Sequence, residues 1–217
     1  MKSLKEYIHE GLLDRVKNKE VNHNAIVKEF LDENYEIYGS YTIKTTNKGF
    51  VVDVKGDVEV ANKNITALTN GLFEFGVVDE SFKCNSCESL RTLEGAPEEV
   101  GENFLCNGCK SLKTLEGAPK EVGRSFGCGY CDSLRTLEGA PKEVKWNFNC
   151  SYCKSLKTLE GAPKEVGSFN CIGCKSLKSL EGAPKEVKWD FLCNDCGIQF
   201  TEEDVKKYTK LVKKIYI

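Results

Sequence analysis

Between Phe82 and Phe200 the apolar positions recur at a long, regular interval instead of following the period of a helix. Every interval repeats one order, in which Phe-x-Cys-x-x-Cys is followed by Leu-x-x-Leu, Ala-Pro and Val. The Phe-x-Cys alternation has a period of two, which predicts a short strand with both residues pointing into a core. The proline follows Gly-Ala, where a missing N–H breaks no strand ladder and a turn is expected. Each interval therefore predicts a strand, a bend, a return segment and a turn.

The interval is 22 residues long, except for one of 21 residues between Cys150 and Cys171. A period in the low twenties predicts a solenoid, in which stacked coils bury a shared core. All 12 cysteines of the chain belong to this repeat and form Cys-x-x-Cys pairs. The pairs are Cys84 and Cys87, Cys106 and Cys109, Cys128 and Cys131, Cys150 and Cys153, Cys171 and Cys174, and Cys193 and Cys196.

The full repeat, Phe-x-Cys-x-x-Cys-x-Ser-Leu-x-x-Leu-(x)3-Pro-x-x-Val, covers about residues 58–200 and resembles the leucine-rich repeat. It is most similar to the short bacterial variety, although Cys-x-Ser-Leu and Val-x-x-x-Phe each contain one residue more. The resemblance implies a mainly β solenoid of stacked parallel strands, one per coil, whose concave sheet binds a protein or peptide. It also implies that the second cysteine of each pair fills the Asn/Cys ladder position.

Cys-x-x-Cys pairs separated by about 18 residues are also typical of a zinc ribbon. In a stacked sheet, however, equivalent residues form columns about 4.8 Å apart. Sulfur atoms bound to one zinc ion must converge to roughly 3.8 Å from each other, and columns do not converge. Free cysteine is also among the most frequently buried residue types. We therefore expect core cysteines, with no metal and no cofactor. The alternative is a zinc-stabilised structural protein of a virion, in which all twelve cysteines are candidate ligands.

Variation at the outward positions of the repeat is where a solenoid would carry binding specificity. Two coils have tryptophan two residues before the phenylalanine, adjacent coils have tyrosine between the cysteines, and two coils have asparagine after the phenylalanine. Aromatic side chains supply contact area at low entropic cost, which favours a protein-binding surface. The alternative is that the tryptophans fold back over the sheet edge as local packing. The candidate binding residues are Trp146, Trp189, Tyr130, Tyr152, Asn149 and Asn170.

The segments outside the repeat predict two caps, which a solenoid needs to cover its terminal coils. Residues 21–57 predict an α+β cap, with a helix over 22–34 and a hairpin formed by Tyr41–Lys44 and Phe50–Val54. Residues 58–68 match the repeat without its cysteines and predict an atypical first coil. Residues 201–217 predict a capping helix, because Thr201-Glu-Glu-Asp204 resembles a capping box. Its apolar face would contain Val205, Tyr208, Leu211, Val212 and Ile215.

Residues 1–20, MKSLKEYIHEGLLDRVKNKE, resemble the capsid-targeting leader of internal proteins in T-even-type bacteriophages. That leader ends in a prohead-protease site, and Ile8-His9-Glu10-Gly11 matches it, with cleavage expected between Glu10 and Gly11. Short cysteine-rich LEGAP-type repeats also resemble those of phage proteins. The alternative is an ordinary amphipathic helix docked on the cap, because Leu4, Ile8 and Leu12 are spaced four residues apart.

Composition and charge argue against several classes of function. The formal net charge is −2, which gives no electrostatic footprint for nucleic acid, and no apolar run is long enough to span a bilayer. The sequence shows no acid/base pair in a plausible cleft and no phosphate-binding loop. We therefore expect a monomeric, non-enzymatic binding module with neither nucleic acid nor membrane as a partner. The resemblances place it in the cytoplasm of a bacterial host, after a stage in the virion interior.

Overall fold

The computed structural model describes residues 23–47, 49–210 and 213–217. Over these residues the chain is a mainly β parallel solenoid of about seven coils at 22-residue spacing, with one helix before the coils and one near their end. The predicted fold class is therefore confirmed. The predicted leader and its processing site, Glu10 and Gly11, lie outside the described residues.

The N-terminal cap contains one helix and a long hairpin. Helix α1 spans His23–Asn34, and strands β1 (Tyr35–Thr46) and β2 (Gly49–Val60) pair antiparallel along their whole length. The end of β2 then enters the solenoid, because Val58 pairs in parallel with Phe82 of the following coil. The predicted helix, hairpin and atypical first coil are confirmed, and the hairpin is longer than the alternating residues indicated.

Most coils contribute two short strands, where the leucine-rich-repeat resemblance implied one. In most coils the additional strand contains the Glu-Val dipeptide, and in the first it contains Val77-Val78. Each dipeptide lies beside that of the next coil and so satisfies its backbone groups. These Val strands are β3 (Glu74–Val78), β5 (Glu99–Val100), β7 (Glu121–Val122) and β11 (Glu186–Val187). The Phe strands are β4 (Phe82–Lys83), β6 (Phe104–Leu105), β8 (Phe126–Gly127) and β12 (Asp190–Leu192). In β9 (Glu143–Asn149) and β10 (Glu165–Asn170) the two strands are continuous.

The core is a set of columns that run the length of the solenoid. The phenylalanine rings of neighbouring coils lie 5.3 to 5.6 Å apart between centroids, and all of them are fully buried. Two leucines and the cysteines of each repeat complete the interior. The phenylalanine column contains Phe82, Phe104, Phe126, Phe148, Phe169 and Phe191.

A polar residue precedes each phenylalanine and connects successive coils. The hydroxyl oxygen of Ser81 accepts a hydrogen bond from the backbone N–H of Asn103 at 3.4 Å, and Asn103 Oδ1 accepts from the N–H of Ser125 at 3.2 Å. The same pattern continues from Asn147 N–H to the Ser125 hydroxyl at 3.3 Å. These short polar side chains therefore satisfy backbone donors at the corner where the chain enters the Phe strand.

The C-terminal cap begins as predicted and ends differently. Helix α2 spans Glu202–Tyr208 and starts with a capping box, in which the Thr201 side chain accepts from Asp204 N–H and the Asp204 carboxylate accepts from Thr201 N–H. The predicted helix over 201–217 is too long, because Lys214–Tyr216 forms strand β13. This strand pairs in parallel with β12 and occupies the edge that the last Phe strand would otherwise expose.

Candidate binding face

Trp146 and Trp189 lie at the corner between the Val strand and the Phe strand of their coils. Their side chains remain 51% and 39% exposed, and their rings meet edge to face at 6.1 Å between centroids. Gly167 lies between them, in the coil that is one residue shorter. A Cβ atom at Gly167 would lie 2.5 Å from Cζ3 of Trp189, so the indole ring occupies the space that a side chain would need. Each tryptophan ring is therefore packed against its neighbours on one side and exposed to solvent on the other parts of its surface.

Arg124 fixes the other side of the tryptophan pair. Its guanidinium carbon lies 5.7 Å from the Trp146 ring centroid, within the range of a cation–π contact. The same guanidinium group forms a salt bridge of 3.2 Å with Glu102. Arg124 occupies the repeat position of Trp146 one coil earlier, which is the signal that could have identified it from the sequence.

Tyr130 and Tyr152 form a second aromatic pair at the turn that follows the Phe strand. Their rings stack nearly parallel, with 4.9 Å between centroids, and are 56% and 39% exposed. Both residues have positive φ angles, of 59° and 57°, as do the residues at this position in the other coils, Ser86, Gly108, Gly173 and Asp195. A Cβ atom at Gly173 would lie 2.5 Å from Cδ1 of Tyr152, so here too a glycine makes room for an aromatic ring.

Asn149 and Asn170 have a structural role in addition to their position on the face. The Oδ1 atom of each accepts a hydrogen bond of 3.0 Å from a backbone N–H two residues later, at Ser151 and Ile172. Earlier coils satisfy the same turn with a ladder of asparagines between the cysteines. The side-chain oxygens of Asn149 and Asn170 are therefore occupied, and their Nδ2 groups are the part that a partner could contact.

We call these candidate binding residues together the aromatic face. It consists of Tyr130, Trp146, Asn149, Tyr152, Asn170 and Trp189. Trp146, Asn149 and Tyr152 belong to one coil and lie before, at the end of and after its Phe strand. Tyr152 is six residues after Trp146, so their Cα atoms are at most roughly 20 Å apart.

The cysteine thiols form hydrogen bonds with backbone carbonyl groups of the same chain. The second cysteine of most pairs donates its thiol hydrogen to the carbonyl oxygen of the first cysteine one coil earlier, as from Cys109 to Cys84 at 3.2 Å and from Cys153 to Cys128 at 3.1 Å. Burial raises the pKa of Cys153, which keeps that donor thiol protonated, whereas the hydrogen bond with Cys84 lowers the pKa of Cys109. A metal-bound thiolate could not donate these hydrogen bonds. Among the described residues no group of three or more Cys, His, Asp or Glu side chains is arranged to hold a metal ion.

Comparisons with known proteins assign no function to the aromatic face. No protein-family model matches the chain, and no curated protein or solved structure matches it. Within the described part of the chain, no helix has the length and apolar character needed to cross a membrane. The repeat solenoid is consistent with a structural or binding role.

Proposed function

We propose that this chain is a non-enzymatic binding module of the leucine-rich-repeat kind, which uses the aromatic face to hold a protein or peptide. The observation that carries the proposal is the stacked pair of Tyr130 and Tyr152, whose rings lie 4.9 Å apart between centroids and are 56% and 39% exposed. The other coils build the same left-handed turn without an aromatic ring, with Ser86, Gly108, Gly173 and Asp195. Tyrosine at two adjacent turns therefore adds an exposed aromatic pair that the turn itself does not require.

The tryptophans support the same proposal by their number and position. They are the only two in the chain, and both are exposed at the same corner of the repeat, two coils apart. Tryptophan and tyrosine are the residue types that most often dominate binding energy at protein interfaces. The tryptophan pair lies before the Phe strands and the tyrosine pair after them, so a partner would have two separate aromatic anchor points.

Replacing both Trp146 and Trp189 with alanine should weaken partner binding by at least about thirtyfold, because each ring is a candidate interface anchor. Partners would be captured on the immobilised full chain from bacterial extract, identified by mass spectrometry and purified. Their affinities for wild type and variant would then be measured by calorimetry. The far-ultraviolet circular dichroism should be unchanged.

Two matched variants make this test specific. Tyr38→Ala removes an aromatic side chain that is 58% exposed on the N-terminal hairpin, and it should leave the affinity unchanged. Tyr130→Gly with Tyr152→Gly should weaken binding while keeping the unfolding free energy within about 1 kcal/mol of wild type, because glycine relieves the strained turn. Equal affinity in wild type and the double tryptophan variant would remove the aromatic face from consideration.

We also propose that the protein is phage-encoded, packaged in the capsid and delivered into the bacterial host. The support is the resemblance of residues 1–20 to a capsid-targeting leader and of the LEGAP-type repeats to phage proteins. The intact mass of the protein from its native source should correspond to a chain that begins at Gly11. A chain that begins at Met1 would contradict this part of the proposal and leave the binding module unaffected.

A further inference from the structure

The tryptophans belong to a column of residues that runs along the corner of the solenoid. Successive members are joined by backbone hydrogen bonds, for example from Arg124 N–H to Glu102 O at 2.7 Å and from Lys213 N–H to Trp189 O at 2.9 Å. We call this the corner column. Its members are Glu80, Glu102, Arg124, Trp146, Gly167, Trp189 and Lys213.

The charge of the corner column changes sign along the solenoid. Its first coils carry Glu80 and Glu102, and the preceding residue Asp79 adds a third carboxylate. From the Arg124 coil onward the charges are mainly basic, and both tryptophans are directly preceded by lysine. Glu143 and Glu186 lie two residues before Lys145 and Lys188, and Asp190 follows Trp189. The basic groups are Arg124, Lys145, Lys188, Lys213 and Lys214.

Several of these lysines are available to a partner. The side chains of Lys145, Lys188 and Lys213 are exposed, and none of the three forms a salt bridge within the described residues. Beside Trp189, a groove of about 390 Å³ is lined by Ser168, Trp189, Asp190, Lys213 and Lys214. An aromatic floor with lysines at its margins is complementary to apolar side chains flanked by carboxylates.

We propose that the basic half of the corner column binds an acidic peptide segment of a partner protein, with an apolar side chain placed on the tryptophan pair. This inference rests on the proposed function and names the chemistry of its partner. From Arg124 to Lys213 there are four coil spacings of about 4.8 Å, a length that matches about six extended residues. A nucleic acid fits less well, because a longer polyanion would run onto the carboxylates of Glu80 and Glu102.

The tryptophans themselves report the test, because both lie in the corner column and the chain has no others. The full chain would be titrated with a decapeptide of Asp and Glu residues around a central Leu-Phe pair, and tryptophan emission would be followed. We expect a saturable change whose apparent affinity falls at least about tenfold between about 50 and 300 mM salt. The counterpart with Asn and Gln in place of the acids should bind at least about tenfold more weakly.

Charge reversal then locates the site. Lys145→Glu with Lys188→Glu should reduce the affinity by at least about tenfold. The matched control, Lys157→Glu with Lys178→Glu, makes the same change of net charge in an exposed column elsewhere on the coils and should retain binding. Circular dichroism would establish that both variants are folded.

The remaining outcomes overturn the proposal. Equal binding of the neutral peptide, or equal loss in both charge variants, would eliminate recognition of an acidic segment by this column. Tighter binding of a short oligothymidine would assign the column to nucleic acid. A dimer in sedimentation equilibrium that Lys145→Glu with Lys188→Glu dissociates would identify a second copy as the occupant. If captured partners are lost with the tryptophan variant and kept by the lysine variant, the proposed function stands and this inference fails.

Discussion

Phe148→Ala should lower the free energy of unfolding by about 3–5 kcal/mol, the largest loss that we expect from a single side-chain truncation. The Phe148 ring is fully buried and lies between Phe126, at 5.3 Å, and Phe169, at 5.6 Å between centroids. Its removal leaves a cavity in the middle of the column, and neither neighbouring coil can collapse into it without moving its own ring. Urea denaturation followed by circular dichroism measures the loss.

The control for this prediction keeps most of the buried volume. Phe148→Leu should cost less than about 1.5 kcal/mol, because a leucine fills much of the space without stacking. A loss below about 1 kcal/mol for Phe148→Ala would mean that the column does not hold the coils together. Because the coils contact only their neighbours, the unfolding curve of the alanine variant should also broaden as the two halves of the solenoid uncouple.

Gly139→Ala should be comparably destabilising, by about 3 kcal/mol or more, because backbone strain and a steric clash add together. Gly139 has a φ angle of +91°, and a Cβ atom there would lie 2.4 Å from the backbone nitrogen of Glu116 in the preceding coil. The backbone fixes the position of the added Cβ atom, and the atoms that it meets are backbone atoms of the preceding coil. No side-chain rotation can therefore relieve the clash. The measurement is again the unfolding free energy in urea.

Gly108 provides the matched comparison. Its φ angle is +74°, yet the nearest atom to an added Cβ is Ser86 Cα at 3.6 Å, which is an ordinary contact. Gly108→Ala therefore tests the left-handed conformation alone and should cost about 1 kcal/mol. Equal losses in the two variants would show that close approach of the coils at the Gly-Ala-Pro turn contributes nothing beyond the φ angle.

The solenoid could be predicted from the sequence because the same core residues recur once in every coil. Phe148 and Cys150 alternate with exposed or half-buried residues, and this local pattern is enough to assign a strand and its inward face. The Val strands were missed because a dipeptide such as Glu121–Val122 is too short to show alternation. The last strand, Lys214–Tyr216, was missed because Ile215 also fits the helical spacing of the preceding residues.

Part of the aromatic face could be predicted from the sequence for a similar reason. Trp146 and Tyr130 lie at outward positions of the repeat, and these positions can be assigned from the pattern of one coil alone. Their exposure could therefore be predicted. The relation of Trp189 to Gly167 depends on two coils and on the missing residue between them, which the sequence showed only as a tolerated change of length. The hydrogen bond that occupies Asn149 Oδ1 depends on the neighbour two residues later, Ser151, where other coils place asparagine.

The coil length of 22 residues also defines the unit by which a gene for this chain can grow or shrink. Adding or removing 22 residues of the repeat adds or removes one whole coil with its core contacts already matched to both neighbours. The coil that contains Gly167 is one residue shorter at the corner, so this position accommodates a change of length. New arrangements of exposed aromatic and charged residues are therefore accessible in single genetic steps, without a poorly packed intermediate.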